Sequence, residues 1–530
     1  MKPHIYTLIF AGFFSYAQSQ TRTPVLVADI NNGSNNYPVP AGQIGTNQNN
    51  GQPHGFSVYN GKLLFVAEDT HDTSFWMYDG INPPVKYAYP HIIMESGCYA
   101  ISGNTIYFPN RYSNMFGKNN FYKWDGNSNP VFLSNIIPTD VGRQPYTYNT
   151  FTSLNGKIYF GGGDSQYNYE LFVYDPATGI TQRLTHEFSQ KSGSYGGSAL
   201  EYITAFNNKI YFVGWTPETG TELFVYDPVT NKTSNATDIN KGAESSNVQS
   251  ITECNGYLYF LAKPDVSTQM LCRYDGNHST EQITIKSNGP VIGADYLSSA
   301  FKDAIAYYNG RVYFSGTTDG VTYNLCYYDD RTKQTGVAAY LDTKKYSSLR
   351  YFAVYKDNIV FSAATTKNFY YSDNFIYNTT TGALTEIYHP EGCNYFSTTE
   401  KLVYNGSLYM SALTDKYGVE LFKYTIADDT GAVNPGGGQQ SGTQSNFDIS
   451  LIPNPANDFT TLRFNFSEIT ALEINVFDVV GRCLYSRNGT YPKGQSSQVL
   501  NIDSYAPGAY EVVVYNRFQN PIWTSKLIKL

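Results

Sequence analysis

Residues 155–179 read NGKIYFGGGDSQYNYELFVYDPATG, and residues 207–231 read NNKIYFVGWTPETGTELFVYDPVTN. A chain that repeats a unit of this length has few ways to fold, because each copy must bury its apolar face against the next. The unit is a strand, a two-residue turn, a second strand, a variable loop, and a third strand that ends in Tyr-Asp. Turns fall at Asn60-Gly61, Gly103-Asn104, Asn155-Gly156, Asn207-Asn208, Asn255-Gly256, Asn309-Gly310, Asp357-Asn358 and Asn405-Gly406. Asn-Gly and its relatives accept positive φ at both central positions, as two-residue type I′ hairpins demand. Each pair therefore marks a hairpin.

The closing element stands at Tyr78-Asp79, Trp124-Asp125, Tyr174-Asp175, Tyr226-Asp227, Tyr274-Asp275 and Tyr328-Asp329, then weakens to Tyr377-Asn378 and Tyr424-Thr425. The two markers keep step with a period of about 49 residues, which is that of propeller blades. A fourth strand follows most of them, as in PVFLSNII (residues 130–137) and ITQRLTHEF (residues 180–188). The expected fold is therefore all-β: an eight-bladed β-propeller over residues 24–427, with an open solenoid stack as the rival. Its last repeat lacks a fourth strand, whereas residues 24–30, PVLVADI, form a strand with no repeat of their own. If that N-terminal strand completes the last blade, the ring is latched shut and no ladder edge is left open. The 49 Tyr and 32 Phe of the 530 residues suit such a fold, because aromatic side chains fit a pleated, half-buried surface.

The repeats resemble the ELWxxDGT type of secreted Bacteroidetes proteins, most clearly in TELFVYDP (residues 221–228) and VLVADINNGS (residues 25–34). Phe stands where that type has Trp, and its Asp-Gly-Thr ending is degraded. Residues 1–17 carry a basic start at Lys2, an apolar run over residues 5–14 and the small-residue site Ser15-Tyr16-Ala17. This reads as a secretory signal peptide, with the mature chain starting at Gln18. No segment is apolar for long enough to be expected to span a bilayer.

Residues 428–446, containing NPGGGQQSGTQSN, read as a flexible linker. Residues 447–530 have strand-like runs of their own and are expected to form a small antiparallel, Ig-like β-sandwich. Within them IPNPANDF (452–459), VFDVVGRCLY (476–485), APGAYEVVVY (506–515) and the terminal KLIKL (526–530) resemble the type A sorting domain of the type IX secretion system. The resemblance implies that the translocon and sorting machinery are partners, and that the protein ends outside the cell, released or on the outer surface. It also picks out Pro453, Asn454, Pro455, Asp478, Gly481, Gly508, Tyr510, Lys526 and Lys529 as sorting-motif residues. Seven basic residues balance seven acidic ones in the tail, so the formal charge of −8 lies in the rest of the chain. A mildly acidic propeller lacks the clustered Lys and Arg that nucleic acid requires.

Function is expected on one face. The two-residue turns are short and alike from blade to blade, whereas the loops after the second strand and the links between blades vary, and variable loops on a rigid frame carry binding. Those loops offer Asp69, His71 and Asp72, then Arg111 and Tyr112, Asp164 and Tyr167, Trp215 and Glu218, and finally Asp265, Asp319 and Asp415. Carboxylates set among aromatic rings would suit a sugar, a basic protein segment or a hard cation such as Ca²⁺. Against this, a loop Asp most often caps its own backbone turn. No cofactor and no metal-ligand set is expected, because the seven His and six Cys show no ligand spacing. Cys254 and Cys272, in one repeat, are the pair to test for a bridge. Glu170, Glu222 and Glu420 precede Leu-Phe at one blade position, and such repetition points to structure rather than catalysis. HExxH, GxSxG and P-loop motifs are absent, and GDSQ (163–166) lies in a blade loop. The expected function is binding of a glycan or protein outside the cell. The alternative is a secreted polysaccharide-acting enzyme, a glycosidase or lyase, which as a glycosidase needs a carboxylate pair in a cleft.

Overall fold

The computed structural model describes residues 23–31, 50–70, 73–87, 99–111, 119–134, 137–138, 150–163, 170–188, 200–265, 269–277, 280–286, 289–295, 303–367, 371–426, 448–452, 456–466, 470–478, 483–491, 494–516 and 521–530. The expected signal peptide and linker lie outside them. The described chain is all-β apart from one helical turn, Ile283–Lys286.

Eight separate antiparallel sheets form the propeller. Blade four shows the pattern, with Glu201–Phe206, Lys209–Thr216, Gly220–Asp227 and Lys232–Asn235 paired in that order. In blades three and six the innermost strand is broken in two. Ile137–Pro138 and Phe151–Leu154 both pair with Lys157–Gly163, and Gly293–Ala294 and Ile305–Tyr308 both pair with Arg311–Thr317.

The ring closes as the sequence predicts. Val25–Ala28 is the outer strand of the sheet built from Ser397–Tyr404, Ser407–Thr414 and Gly418–Tyr424, with Val25 opposite Lys423 and Leu26 opposite Phe422. Ile30, Phe56, Phe65, Tyr78, Tyr409 and Leu421 then share one buried cluster between blades eight and one. The other seven blade junctions each bury a comparable cluster.

The two sequence markers have separate physical causes. Asn60, Asn155, Asn207, Asn255, Asn309 and Asn405 all adopt positive φ at their turns, as type I′ geometry requires. In blade seven the turn is Lys356-Asp357, one residue earlier than predicted: Lys356 takes φ 53° and Asn358 already begins its strand. The Asp of Tyr-Asp caps the next turn. Asp79 Oδ1 accepts from the N–H groups of Ile81 and Asn82, Asp227 Oδ1 from Val229 and Thr230, and Asn378 Oδ1 from Thr380 and Thr381. The Tyr faces the preceding blade, where it meets a second-strand tyrosine. The ring centroids lie 5.8 Å apart for Tyr107 and Tyr174, 6.0 Å for Tyr211 and Tyr274, and 5.7 Å for Tyr409 and Tyr78. Each such pair contributes about 0.5–1.5 kcal/mol beyond its buried area.

Residues 448–530 form a sandwich. A 3-stranded sheet of Asp448–Ile452, Phe459–Phe466 and Gly494–Asn501 faces a 4-stranded sheet of Cys483–Tyr491, Thr470–Phe477, Gly508–Asn516 and Pro521–Lys529. Leu462, Phe464 and Leu500 from the first and Ile474, Val512, Val514 and Leu527 from the second make one core. The final strand is tied back to Ala456, whose N–H donates to Ile528 O and whose carbonyl accepts from Leu530 N, each at 2.9 Å.

Candidate functional site

The variable loops and the blade-to-blade links do share one face, because they hydrogen-bond to each other. Thr366 N donates to Lys345 O at 2.9 Å, Lys263 N to Ser246 O at 2.6 Å, and Glu68 N to Gly51 O at 2.7 Å. Of the residues the sequence proposes there, His71, Asp72, Tyr112, Asp164 and Tyr167 lie outside the described residues. Arg111 ends the strand Thr105–Arg111, opposite Asn119. Asp69, Trp215, Asp319 and Asp415 sit on blades one, four, six and eight.

Each of the three carboxylates has local partners. Asp69 pairs with Lys86 Nζ at 2.8 Å. Asp319 accepts from the N–H groups of Val321 and Thr322 at 2.9 and 2.7 Å and from the Thr317 and Thr322 hydroxyls, which hold it well below the usual carboxylate range. Asp415 accepts from the backbone N–H and the side-chain amide of Asn394. Trp215 is half-buried opposite Thr221.

Asp415 belongs to a group that sequence reading missed. Tyr371 immediately precedes the third strand of blade seven and Tyr395 lies near the end of the link into blade eight, and their rings lie 4.9 Å apart, tilted by 58°. The crossing point is fixed by Ser372 and Ser397, whose hydroxyls bond at 3.0 Å, and by the Ser372 N–H donating to Ser397 Oγ at 3.1 Å. Burial pushes the Tyr395 phenol up to about 12, with Tyr371 and the charge of Asp415 adding to the effect. Lys416, next to Asp415 in sequence, places its Nζ 4.8 Å from the ring centre of Tyr417. Both paired tyrosines are half-buried, whereas Asn394, Asp415 and Lys416 are exposed. One ring face of such a pair, beside a carboxylate and an amide, can stack on a flat partner while the polar groups hydrogen-bond its rim. The signal in the sequence was the Tyr before each of two serines at the blade junction, residues 371–372 and, through Phe396, 395–397.

The innermost strands hold the other polar concentration. Their ladders slip at His54/Ser57, Glu201/Thr204, Gln249/Thr252 and Arg350/Ala353, and the inserted residues Gly55, Tyr202, Ser250 and Tyr351 take φ of 65°, 52°, 56° and 55°. Positive φ at a tyrosine is strained, and bulges tend to re-aim side chains. Here they also free backbone groups for ties between blades. Glu400 accepts from Gly55 N at 2.8 Å and Phe56 N at 3.0 Å, and the buried Lys401 ammonium donates to Tyr351 O at 2.9 Å and Ser362 Oγ at 2.7 Å. Burial lowers Lys401 far below its ordinary value and pushes Glu201 up to about 7.

The repeated glutamates are structural, as their repetition suggested. All three are fully buried, and each carboxylate pins the chain beyond an outer strand. Glu170 holds the Thr185 hydroxyl and Phe188 N, Glu222 holds the Thr237 hydroxyl and Ile239 N, and Glu420 holds Ile30, Asn31 and Gly51. In blade six Asn324 takes the same place and accepts from Leu341 N at 3.0 Å. Cys254 and Cys272 are both free thiols and pack into different blade junctions, so the bridge considered for them is not made.

In the sandwich, the Tyr510 ring packs against Tyr505 at 5.0 Å with a tilt of 39°, and its hydroxyl donates to Ala506 O at 2.6 Å. Gly508 lies opposite Lys529 and Glu511 opposite Lys526, while half-buried Asp478 follows Thr470–Phe477. Pro453, Asn454, Pro455 and Gly481 lie outside the described residues. No helix among the described residues is long and apolar enough to cross a membrane.

Residues 450–529 match the family described as the secretion system C-terminal sorting domain. No curated protein matches the chain in sequence. Among solved structures, a puromycin-hydrolyzing peptidase of Mycobacterium tuberculosis is 11% identical with a TM-score of 0.41, over 68% of this chain and 57% of that one. The chain thus spans less than three fifths of that peptidase. The β-propeller domain of the Trilobed protease from Pyrococcus furiosus is 11% identical (TM-score 0.35) over 63% and 98% of the two chains. An oligogalacturonate lyase in complex with manganese is 10% identical (TM-score 0.38) over 72% and 98%. At these values their chemistry says nothing of this chain. The sorting domain makes this a secreted or cell-surface β-propeller protein served by the type IX machinery.

Proposed function

We propose that the propeller is a binding module without catalytic activity, presented outside the cell, that engages a glycan through its variable face. The observation that carries this reading is the Tyr371–Tyr395 pair beside Asn394 and Asp415 at the junction of blades seven and eight. Sugar rings offer an apolar face to aromatic side chains and a rim of hydroxyls to amides and carboxylates, so this arrangement suits them. Of the residues first picked out on this face, Asp69, Trp215 and Asp319 lie on blades one, four and six and would extend the surface, while Arg111 ends a strand of blade two and His71, Asp72, Tyr112, Asp164 and Tyr167 lie outside the described residues. We read the repeats as ELWxxDGT-like and residues 1–17 as the signal for the first export step, with the sorting domain directing the second.

A glycan array probed with the full chain tests the reading. Retention on an oligosaccharide that is lost in Tyr371→Ala and Tyr395→Ala variants of unchanged circular dichroism supports it. Retention that survives both substitutions moves the site elsewhere, and release of shortened sugar replaces binding by hydrolysis or lysis.

A further inference from the structure

We propose that Asp373, Glu386 and His389, on the edge of blade seven, form a site for a divalent metal ion of the Zn²⁺ class. Asp373 lies in Ser372–Asn378 and Glu386 in the neighbouring strand Leu384–Ile387, while His389 follows that strand directly. Phe375 is the cross-strand partner of Glu386, so Asp373, two residues from Phe375, presents its side chain on the same sheet face as Glu386. One donor atom from each of the three residues lies within 4.8 Å of the other two.

The spacing fits an ion better than it fits direct contact. His389 Nε2 and Asp373 Oδ1 are 3.8 Å apart, too far for a hydrogen bond. Two ligands held about 2.1 Å from Zn²⁺ at the tetrahedral angle lie about 3.4 Å apart, so movements of about 1 Å or less would close all three around one ion. Asp373 is already oriented for this. Its Oδ2 accepts from the Tyr346 hydroxyl at 2.8 Å and pairs with Lys345 Nζ at 2.9 Å, which leaves Oδ1 facing the imidazole. Such outer contacts are what fix a ligating carboxylate. Independently, the half-buried Glu386 carboxylate makes no hydrogen bond or ion pair among the described residues.

The donor set selects the metal. One imidazole with two carboxylates suits Zn²⁺, Mn²⁺ or Co²⁺, whereas Ca²⁺ prefers an all-oxygen shell. An ion there would join the outer edge of blade seven to the link that leads to Tyr395. The Glu-x-x-His spacing of residues 386–389 was visible in the sequence, but Asp373 joins it only through the sheet.

Chelator-treated full-length protein titrated with Zn²⁺ by calorimetry, with metal content read by elemental analysis, tests the site. Wild type is expected to bind one more Zn²⁺ per chain than His389→Ala, with a rise in melting temperature that the variant lacks. Glu386→Gln, which keeps shape and fold, should weaken that site at least tenfold. Lys345→Met removes the competing ammonium and should tighten it. Equal stoichiometry and affinity in wild type, His389→Ala and Glu386→Gln would overturn the proposal, as would saturation by Ca²⁺ in preference to Zn²⁺.

Discussion

The backbone N–H of Ile30 donates to a Glu420 carboxylate oxygen at 2.9 Å, although 390 positions separate the two residues in sequence. The same side chain accepts from Gly51 N at 2.8 Å and Asn31 N at 3.3 Å. One buried carboxylate therefore fastens both sides of the N-terminal strand's exit to the last blade. Replacing it should do more than remove a side chain. Glu420→Ala strands three backbone donors at a fully buried position and is expected to cost roughly 3–5 kcal/mol. Urea denaturation followed by tyrosine fluorescence checks this, and Glu420→Gln, which keeps one acceptor, should lose less than half as much.

The same residue makes stability depend on pH. Burial pushes Glu420 up to about 8 against the opposing pull of its N–H donors, and Glu222 up to about 7 for the same reason. A carboxyl raised by folding holds its proton more tightly in the folded chain. Its contribution is therefore complete below the ordinary value of 4.5 and is lost as pH climbs through the raised one. The urea midpoint is expected to fall between about pH 5 and pH 9, and Glu420→Gln to flatten part of that slope. A midpoint that rises over this interval would contradict the assignment.

The junction of blades five and six rests on Arg273. Its guanidinium donates to Asp330 at 2.9 Å and Glu281 at 2.8 Å and lies 4.3 Å from the ring centre of Tyr257, while Asp330 also accepts from the Tyr259 hydroxyl at 2.7 Å. Arg273→Ala leaves buried Asp330 with only the more distant, exposed Lys333 ammonium at 3.8 Å as countercharge and is expected to cost up to roughly 3–5 kcal/mol by chemical denaturation. Arg273→Lys should recover only part, because an ammonium cannot reproduce the planar fork.

Much of this was legible beforehand for physical reasons. Turn asparagines, Asx-capping aspartates and the N-terminal Val-Leu-Val strand each act through local backbone chemistry, so their pattern survives in the sequence. What failed to show is what propensity opposes. Lys356 takes the positive φ that Asp357 and Asn358 would accept more readily, and Tyr202 and Tyr351 hold bulges that no turn residue announces. The Tyr371–Tyr395 pair arises only where two blades meet. Asp319, by contrast, does what a loop aspartate does by default, capping Val321 and Thr322.

Removal of residues 448–530 should leave the propeller folded but on the wrong side of the outer membrane. In a host with the type IX machinery, fractionation with immunoblotting is expected to find full-length protein in the medium or on the surface and the truncated form in the periplasm. Lys526→Ala with Lys529→Ala, both on the last strand, should reduce export without unfolding the sandwich, whose core is Leu527 and its neighbours.

The shared variable face exists only if the ring closes, and closure rests on Val25 lying opposite Lys423. Paired positions on antiparallel strands stand about 4.5–5.5 Å apart at Cα, within disulfide range. Val25→Cys with Lys423→Cys, oxidised under native conditions and mapped by peptide mass spectrometry, measures that closure directly. Near-complete cross-linking with unchanged circular dichroism is expected. Two thiols that both remain open to alkylation in the folded protein would contradict it.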